Sequence, residues 1–199
     1  MARNTEPIAK RCRALDISPA MMGYSNKKSN RNPGKDTKRR KVSEYATQLK
    51  EKQKVRFVYG VMERQFRNYF EKATNMKGVT GENLLQLLER RLDNVVFRLG
   101  MGNTRRHARQ LVTHGHIQVN GQRVDIPSYL VDVNDVITIM QKSRDTEHFK
   151  ALREGSKSIV PKWLSFNAAE LTGTVVALPT REDIDLPLQE NMIVEFYSR

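Results

Sequence analysis

Cationic and amide side chains are concentrated in residues 104–124, TRRHARQLVTHGHIQVNGQRV, and their chemistry suits the binding of phosphate groups. Thr104 can cap a helix N-terminus with its side-chain oxygen, and Gly115 can end that helix in a left-handed conformation. At about 100° per residue, one face of this helix carries the apolar residues Ala108, Leu111 and Val112. The opposite face carries Arg106, Gln110 and Thr113, with Arg109 beside them. The pattern therefore predicts a helix that packs on one side and can bind a polyanion on the other.

A β-hairpin is predicted directly after this helix. Ile117 and Val119 alternate with polar neighbours, and Asn120-Gly121 can supply the two positive φ angles of a type I′ turn. A two-residue turn fixes the register, so one face of the hairpin is expected to bury Ile117, Val119, Val124 and Ile126. The other face carries Gln118, Arg123 and Asp125, which adds Arg123 to the cationic surface.

Residues that could form a catalytic or metal site are scarce. The histidines are His107, His114, His116 and His148, and no carboxylate or cysteine stands at metal-ligand spacing beside the first three. Cys12 is the single cysteine, so it cannot form an internal disulfide, nor a zinc site by itself. Asp183 and Asp185 lack any arrangement for acid and base roles, and no Walker loop or dinucleotide fingerprint is present. The sequence predicts no metal, no cofactor and no enzyme activity.

Apolar periodicity predicts the helices that position the cationic segment. A helix over residues 53–74 carries a stripe of Val55, Val58, Met62, Phe66, Tyr69 or Phe70, and Ala73. Its polar side, with Lys54, Arg56, Arg64, Arg67 and Lys72, fits a solvated face or one that follows phosphates. Tyr45, Tyr59 and Tyr69 can likewise pack with the hydroxyl outward or stack on bases. A further helix starts near Thr80 and carries one continuous stripe: Leu84, Leu85, Leu88, Leu92, Val95, Val96 and Leu99.

The second half of the chain predicts a small antiparallel sheet. Apolar runs lie within residues 130–133 and 136–139, and further strands are expected over residues 163–166 and 172–178. Residues 143–158 are polar and predict a linker or a short helix. The terminal residues 193–197 are too apolar for a free tail, so they are expected to fold back against the helical part of the chain.

Charge is distributed unevenly along the chain. The 199 residues include 35 Lys and Arg against 22 Asp and Glu, a formal charge of +13, which makes a polyanionic partner a reasonable first hypothesis over a merely soluble basic protein. Residues 1–54 contain fifteen Lys or Arg and five Asp or Glu, whereas residues 145–199 contain six and nine. Residues 1–41 show little apolar periodicity, so they predict either a basic arm that orders on RNA or a disordered tail, with almost no core of their own.

Several long motifs carry a resemblance to a known family. The run T-R-x-x-A-R-Q-L-V-x-H-x-x-I-x-V-N-G is similar to the RNA-binding module named after bacterial small-subunit ribosomal protein S-four. The segments KEKQKVRFVYGVMERQFRNYF, TGENLLQLLERRLDNVVFRLG and IVEFYSR resemble that ribosomal protein itself, so the similarity covers nearly everything from residue 42 onward. Many relatives carry several N-terminal cysteines that bind zinc, and this chain, with Cys12 alone, resembles a zinc-free form.

The resemblance implies an α+β fold, with a mainly helical lobe and an inserted RNA-binding lobe in which two helices pack on an antiparallel sheet. The implied domains are a basic arm (1–42), a helical lobe (43–90 with 181–199) and the RNA-binding lobe (91–180). The implied rRNA-binding residues are Lys38, Arg39, Arg40, Lys41, Lys54, Arg56, Arg64, Arg67, Tyr69, Arg105, Arg106, Arg109, Gln110, His114, His116, Asn120 and Arg123.

The resemblance also implies a function and its partners. Members of the family are structural proteins that bind a helix junction in the 5′ domain of 16S rRNA early in assembly. They contact the neighbouring S-five protein, support translational accuracy and lie near the mRNA entrance of the ribosome. A cytoplasmic location follows, with no membrane partner. The alternative is an RNA-modifying or tRNA-charging enzyme that uses the same module, but such enzymes need a catalytic domain for which this chain leaves little length.

Overall fold

The computed structural model describes residues 7–25, 43–154 and 159–198. The chain forms two compact units, one comprising Met1–Arg67 with Leu186–Arg199 and the other comprising Asn68–Asp185. The second unit is thus inserted in the sequence of the first. The domain boundaries inferred from the sequence, at 42/43, 90/91 and 180/181, remain a prediction.

The described residues contain eight α-helices and five β-strands, which confirms the α+β class. The helices are α1 (Ile8–Leu15), α2 (Glu44–Val58), α3 (Glu63–Asn75), α4 (Thr80–Glu89), α5 (Leu92–Arg98), α6 (Arg105–Thr113), α7 (Glu147–Glu154) and α8 (Glu190–Tyr197). The strands are β1 (Ile117–Val119), β2 (Gln122–Arg123), β3 (Val136–Ile139), β4 (Leu164–Asn167) and β5 (Thr172–Val175). Short 3₁₀ turns occupy Pro19–Met22, Gln141–Ser143 and Arg181–Asp183.

In the first unit, α2 packs against both α1 and α8. The terminal residues therefore do fold back on the helical part of the chain, as predicted, and the rings of Tyr45 and Phe196 lie 5.6 Å apart. The N-terminal segment differs from its prediction, because residues 7–25 contribute buried side chains: Cys12, Leu15, Ile17 and Met22. The apolar residues of this segment are few, but α1 and the residues that follow it bury these four.

The predicted continuous helix over residues 53–74 is wrong, because the chain breaks between α2 and α3. Gly60 adopts a left-handed φ of 64° and its N–H donates to the carbonyl of Phe57, while the N–H of Val61 donates to that of Arg56. These two bonds form a Schellman motif, which ends a helix. Met62, predicted in the core, follows the break and is 40% exposed. Apolar spacing continued across the break because both helices bury residues at a three-to-four interval.

In the second unit, the predicted stripe from Leu84 to Leu99 is buried, but the helix that carries it is divided. Arg91 is extended, with φ −64° and ψ 135°, and separates α4 from α5. The N–H of Leu92 donates to the carbonyl of Tyr129 over 2.8 Å, and Arg91 forms an isolated antiparallel bridge with Leu130. The start of α5 is therefore tied to a segment almost forty residues later in the sequence.

The strands form one antiparallel sheet in the order β2-β1-β3-β5-β4. A single apolar cluster joins α5 and α6 to this sheet, so two helices do pack on a sheet as predicted. Of the two runs predicted over residues 130–139, the second forms β3, while the first lies outside the strands of the described sheet.

Ile126 was predicted to be buried but is 55% exposed. The pairing of β2 ends at Arg123, so the alternation of side chains between the two faces of a strand does not extend to Ile126.

Gly102 packs closely against α6 and gives a first test of the fold. A Cβ at Gly102 would lie 2.7 Å from the backbone nitrogen of Ala108 and 2.8 Å from its Cα. Because this neighbour is helical backbone, it cannot move aside easily. We expect Gly102→Ala to destabilise the protein by about 1–3 kcal/mol in urea unfolding.

Gly121→Ala is the control for this test, because the residue has a φ of 79° but no atom within 4 Å of its added Cβ. It should show backbone strain of about 1 kcal/mol without a clash. Equal midpoints for Gly102→Ala and the wild type would contradict the close packing of Gly102 on α6.

Candidate nucleic-acid interface

Both ends of α6 are fixed by local hydrogen bonds. The Thr104 hydroxyl accepts from the N–H of His107 over 3.1 Å, as the sequence predicted. At the other end Gly115 has a φ of 72°, its N–H donates to Val112, and the N–H of His116 donates to Leu111. These bonds form another Schellman motif. The ends of α6 are thus set by the sequence of the helix itself.

The two faces of α6 are as predicted. Ala108, Leu111 and Val112 are buried, whereas Arg106, Gln110, Thr113 and His114 are exposed. Arg123 is exposed on β2, and its guanidinium lies over Gly115, where any Cβ would clash with it. Because the missing side chain of Gly115 makes room for Arg123, the hairpin adds its cation to the C-terminal end of the α6 surface. We call Arg106, Arg109, Gln110, His114 and Arg123 the cationic face.

The hairpin turn has the predicted geometry, with φ angles of 51° at Asn120 and 79° at Gly121. Gln118 pairs with Arg123 and Val119 with Gln122. The Asn120 side chain, a predicted rRNA ligand, has intramolecular partners: its Nδ2 donates to Asp135 over 2.8 Å and its Oδ1 accepts from the N–H of Val136 over 2.9 Å. Asn120 therefore attaches the turn to β3, which is a structural role.

Two of the predicted arginines are held by polar groups of α5. Nε of Arg105 donates to Oδ1 of Asn94 over 3.0 Å, and the Arg105 guanidinium lies 4.4 Å from the centre of the Phe97 ring. Nη1 of Arg109 donates to Oδ2 of Asp93 over 2.9 Å. The side chains of Arg105 and Arg109 are therefore oriented by the protein before any ligand arrives.

The group that holds Arg109 is part of a buried ionic cluster, which the sequence analysis missed. Asp93 accepts two hydrogen bonds from Arg91, from Nε over 3.1 Å and from Nη2 over 2.7 Å. Nη1 of Arg91 donates to the hydroxyl of Tyr69 over 2.7 Å. Burial acts to lower the pKa of Arg91, but the charge and hydrogen bonds of Asp93, with those of Tyr69, outweigh it and raise that pKa. Arg91 therefore stays charged in the interior.

A second carboxylate supports Arg105 indirectly, because Glu89 holds Asn94, which accepts a hydrogen bond from Arg105. Glu89, which is fully buried, accepts from Nδ2 of Asn94 over 2.6 Å and from Nη2 of Arg98 over 2.8 Å. Arg98 in turn donates to Asp185 over 3.0 Å. The sequence did contain a signal, because charged residues stand at positions 89, 91, 93 and 98, within the stretch that carries the apolar stripe. The spacing of apolar residues alone does not detect them.

Of the predicted rRNA ligands in the first unit, two form ion pairs with glutamates and two are exposed. Lys54 forms an ion pair with Glu51 over 2.5 Å, and Arg56 forms one with Glu63 over 2.9 Å. Arg64 and Arg67 are exposed. Lys38, Arg39, Arg40 and Lys41 lie outside the described residues.

Tyr69, also a predicted ligand, is only 8% exposed, and its hydroxyl accepts from Arg91. Tyr69 is therefore packed, but its hydroxyl bonds to the buried Arg91 instead of pointing outward. Its role as an rRNA ligand stays a prediction.

The histidines lie in two pairs, with ring centres 4.7 Å apart for His107 and His148 and 6.1 Å apart for His114 and His116. Nδ1 of His116 is 2.8 Å from the Ser143 hydroxyl. Burial, followed by electrostatic interactions with His114 and Arg123, lowers the pKa of His116. Burial, followed by His148, lowers the pKa of His107. Among the residues that the structure describes, no group of three or more His, Cys, Asp or Glu is placed to hold a metal ion.

Comparison with known families matches the chain in two adjoining parts. Residues 3–89 match the family model described as Ribosomal protein S4/S9 N-terminal domain, and residues 90–137 match the S4 domain. The second match contains α5, α6 and the hairpin. The chain belongs to the ribosomal protein S4 family.

Full-length relatives agree with this assignment. The chain is 52% identical over 200 residues to small ribosomal subunit protein uS4 of Agathobacter rectalis, with all of both chains covered. It is 53% identical over 201 residues to the uS4 protein of Lachnoclostridium phytofermentans and 51% identical over 207 residues to that of Clostridioides difficile, again with both chains fully covered. Within the described ranges, no helix of the structure is both long and apolar enough to span a bilayer.

The separation of the two faces of α6 can be tested with one pair of variants. Arg106→Ala should weaken RNA binding without lowering the melting temperature, because its side chain is exposed. The slope of log affinity against log salt should flatten by roughly 0.7–0.9 for each phosphate that the variant no longer neutralises. Leu111→Ala should instead destabilise the protein by about 2–5 kcal/mol, because Leu111 is buried in the apolar cluster. An early melt for Arg106→Ala with an unchanged salt slope would show that the faces are reversed.

The two lowered histidine pKa values predict how stability depends on pH. The folded state resists protonation of His107 and His116, whereas the unfolded chain protonates them near the ordinary value of about 6.5. Their effect is absent above that pH, and stability is lost as the pH falls through it toward the folded-state values. We expect the melting temperature to fall between about pH 7 and pH 5.5.

A His107→Gln, His116→Gln double variant is the control for the pH test, and its melting temperature should fall less over the same window. The carboxyl of Glu63, whose pKa is also shifted, does not contribute to the change in melting temperature over this pH window. Burial acts to raise its pKa, but hydrogen bonds from Lys52 and Tyr197 outweigh it, so it titrates below the ordinary carboxyl range. Identical slopes for the wild type and the double variant would contradict the histidine assignment.

Proposed function

We infer that the protein is a structural constituent of the small ribosomal subunit, in the cytoplasm, and that it acts by binding rRNA. The observation that carries this conclusion is the match, at about half identity and over the full length of both chains, to proteins named small ribosomal subunit protein uS4. The cationic face fits such a role, because it combines an exposed α6 surface with a hairpin cation at its end.

The proposed mechanism follows from charge and shape. Exposed cations such as Arg106 and Arg123 displace counterions from RNA phosphates, which gives affinity that depends on salt. A-form RNA hides its major-groove edges, so a rigid surface gains selectivity by matching the arrangement of the backbone. Fixed helix ends and tethered arginines supply that rigidity in this chain. Sequence reading of bases is therefore secondary in this proposal.

Finer assignments extend this proposal. The target is a helix junction in the 5′ domain of 16S rRNA, bound early so that it nucleates assembly of the body. The neighbouring S-five protein is a contact through which the protein supports translational accuracy, and mRNA passes nearby. These assignments are supported by the family resemblance of the motifs. Arg64, Arg67 and the cationic face remain proposed ligands, together with Lys38, Arg39, Arg40 and Lys41 of the N-terminal segment.

The alternative function, an RNA-modifying or tRNA-charging enzyme that uses the same module, is not supported. The relatives that match the whole chain are named as ribosomal proteins. The buried carboxylates Glu89 and Asp93 are engaged in ion pairs with arginines.

Sedimentation of the tagged protein through a sucrose gradient tests the proposed function. We expect it to travel with small subunits and to remain bound after a wash in moderate salt. Footprinting of the purified protein on small-subunit rRNA should then protect nucleotides of the 5′ domain. Protein that stays at the top of the gradient, or that protects no rRNA position over an unrelated RNA of equal length, would overturn the proposal.

A further inference from the structure

One buried carboxylate lies between a structural arginine and an arginine of the cationic face. Asp93 is 5% exposed and accepts hydrogen bonds from Arg91 and from Arg109. Arg91 is 1% exposed, so it cannot approach an RNA ligand. Arg109 lies on α6 beside Arg106 and Gln110, where the proposed function places the RNA backbone.

We propose that Asp93 is a positioning residue for rRNA binding, which fixes the guanidinium of Arg109 so that it meets the RNA backbone in one orientation. This inference rests on the proposed function. A guanidinium carries five N–H donors in one plane, so it can hold a carboxylate along one edge and present another edge to a phosphate. The hydrogen bond from Nη1 to Oδ2 restricts the orientation of that side chain.

The charges of the cluster decide which of two opposite effects Asp93 has on RNA. As a negative charge near the ligand, it would repel phosphate, and its removal would strengthen binding. However, its charge is already matched by Arg91, which is bound to it through two nitrogens. The cluster of Arg91, Asp93 and Arg109 keeps one net positive charge, so orientation is the larger effect. If removal of the Asp93 charge weakens RNA binding, Asp93 acts by positioning Arg109; if it strengthens binding, Asp93 acts by repelling phosphate.

The principal experiment measures the affinity of the full chain for a transcript of the 16S 5′ domain, well below the melting temperature. Asp93→Asn keeps the shape of the side chain but replaces one oxygen with an N–H₂ that faces a guanidinium. We expect it to weaken binding by about threefold to tenfold, which corresponds to one oriented, charge-assisted hydrogen bond. In the Arg109→Ala background the same change should have no further effect, because Asp93 acts through Arg109. Tighter or unchanged binding by Asp93→Asn, or effects that simply add in the double variant, would overturn the inference.

A matched control removes the same charge elsewhere. Asp132 forms an ion pair with Arg90, and Arg90 also donates to the carbonyl of Val131 over 2.9 Å. Neither residue belongs to the cationic face. Asp132→Asn should leave the affinity within about twofold of the wild type, since it lowers the negative charge without disturbing an arginine of that face.

Because Asp93→Asn leaves Arg91 with a weakened partner, a second pair of variants keeps the test independent of folding. Arg109→Lys retains the charge but has an ammonium that cannot hold a carboxylate and a phosphate along two edges. We expect it to bind more weakly, by about threefold or more, than Arg90→Lys, which makes the same exchange outside the face. Equal affinities for these two variants would overturn the inference. Failure of the wild type itself to bind the transcript better than an unrelated RNA would overturn the proposed function instead.

Discussion

The placement of α6, which carries most of the cationic face, depends on the buried ion pair between the guanidinium of Arg91 and the carboxylate of Asp93. A charge inside a protein costs several kcal/mol of solvation, so it persists only where hydrogen bonds replace those to water. Asp93 supplies two of these bonds and Tyr69 supplies a third. Removing one partner would leave an uncompensated charge, which typically costs about 3–5 kcal/mol. The pair therefore fixes the start of α5, where Arg91 is extended and Asp93 lies in the first turn.

The opposite side of α5 is held by apolar packing. Leu92, Val95, Val96 and Leu99 belong to one buried cluster with residues of α6 and the sheet. This arrangement gives α5 two functions: its apolar side joins the core, and its polar residues Asp93 and Asn94 reach the arginines of α6. A shift of α5 would therefore move both the core contacts and the guanidiniums. Stability and the geometry of the candidate interface are coupled through this one helix.

Local chemistry explains which features could be predicted from the sequence. Thr104, Gly115 and Asn120-Gly121 act through neighbouring backbone groups, so α6 and the hairpin were predicted correctly. The break at Gly60 was missed, because apolar spacing continued on both sides of it. The division of α4 from α5 depends on hydrogen bonds to residues near 130, from the N–H of Leu92 to Tyr129 and from the N–H of Val131 to Arg90, which no local pattern contains. The same limit applied to Ile126, whose exposure follows from where β2 stops pairing.

The site prediction was limited in a different way. Residue type and helical face identified which cations are exposed, but they could not distinguish an exposed cation from a tethered one. Arg106 and Arg109 are both arginines on the polar side of α6, yet Arg109 is held by a carboxylate of α5 whereas the side chain of Arg106 is exposed. Exposed cations attract any polyanion, and salt screens them strongly. Tethered arginines have a fixed direction and are less screened where they are partly buried. A surface that contains both kinds can bind RNA through charge and still select one arrangement of its backbone, because only the tethered side chains require a phosphate at a particular position.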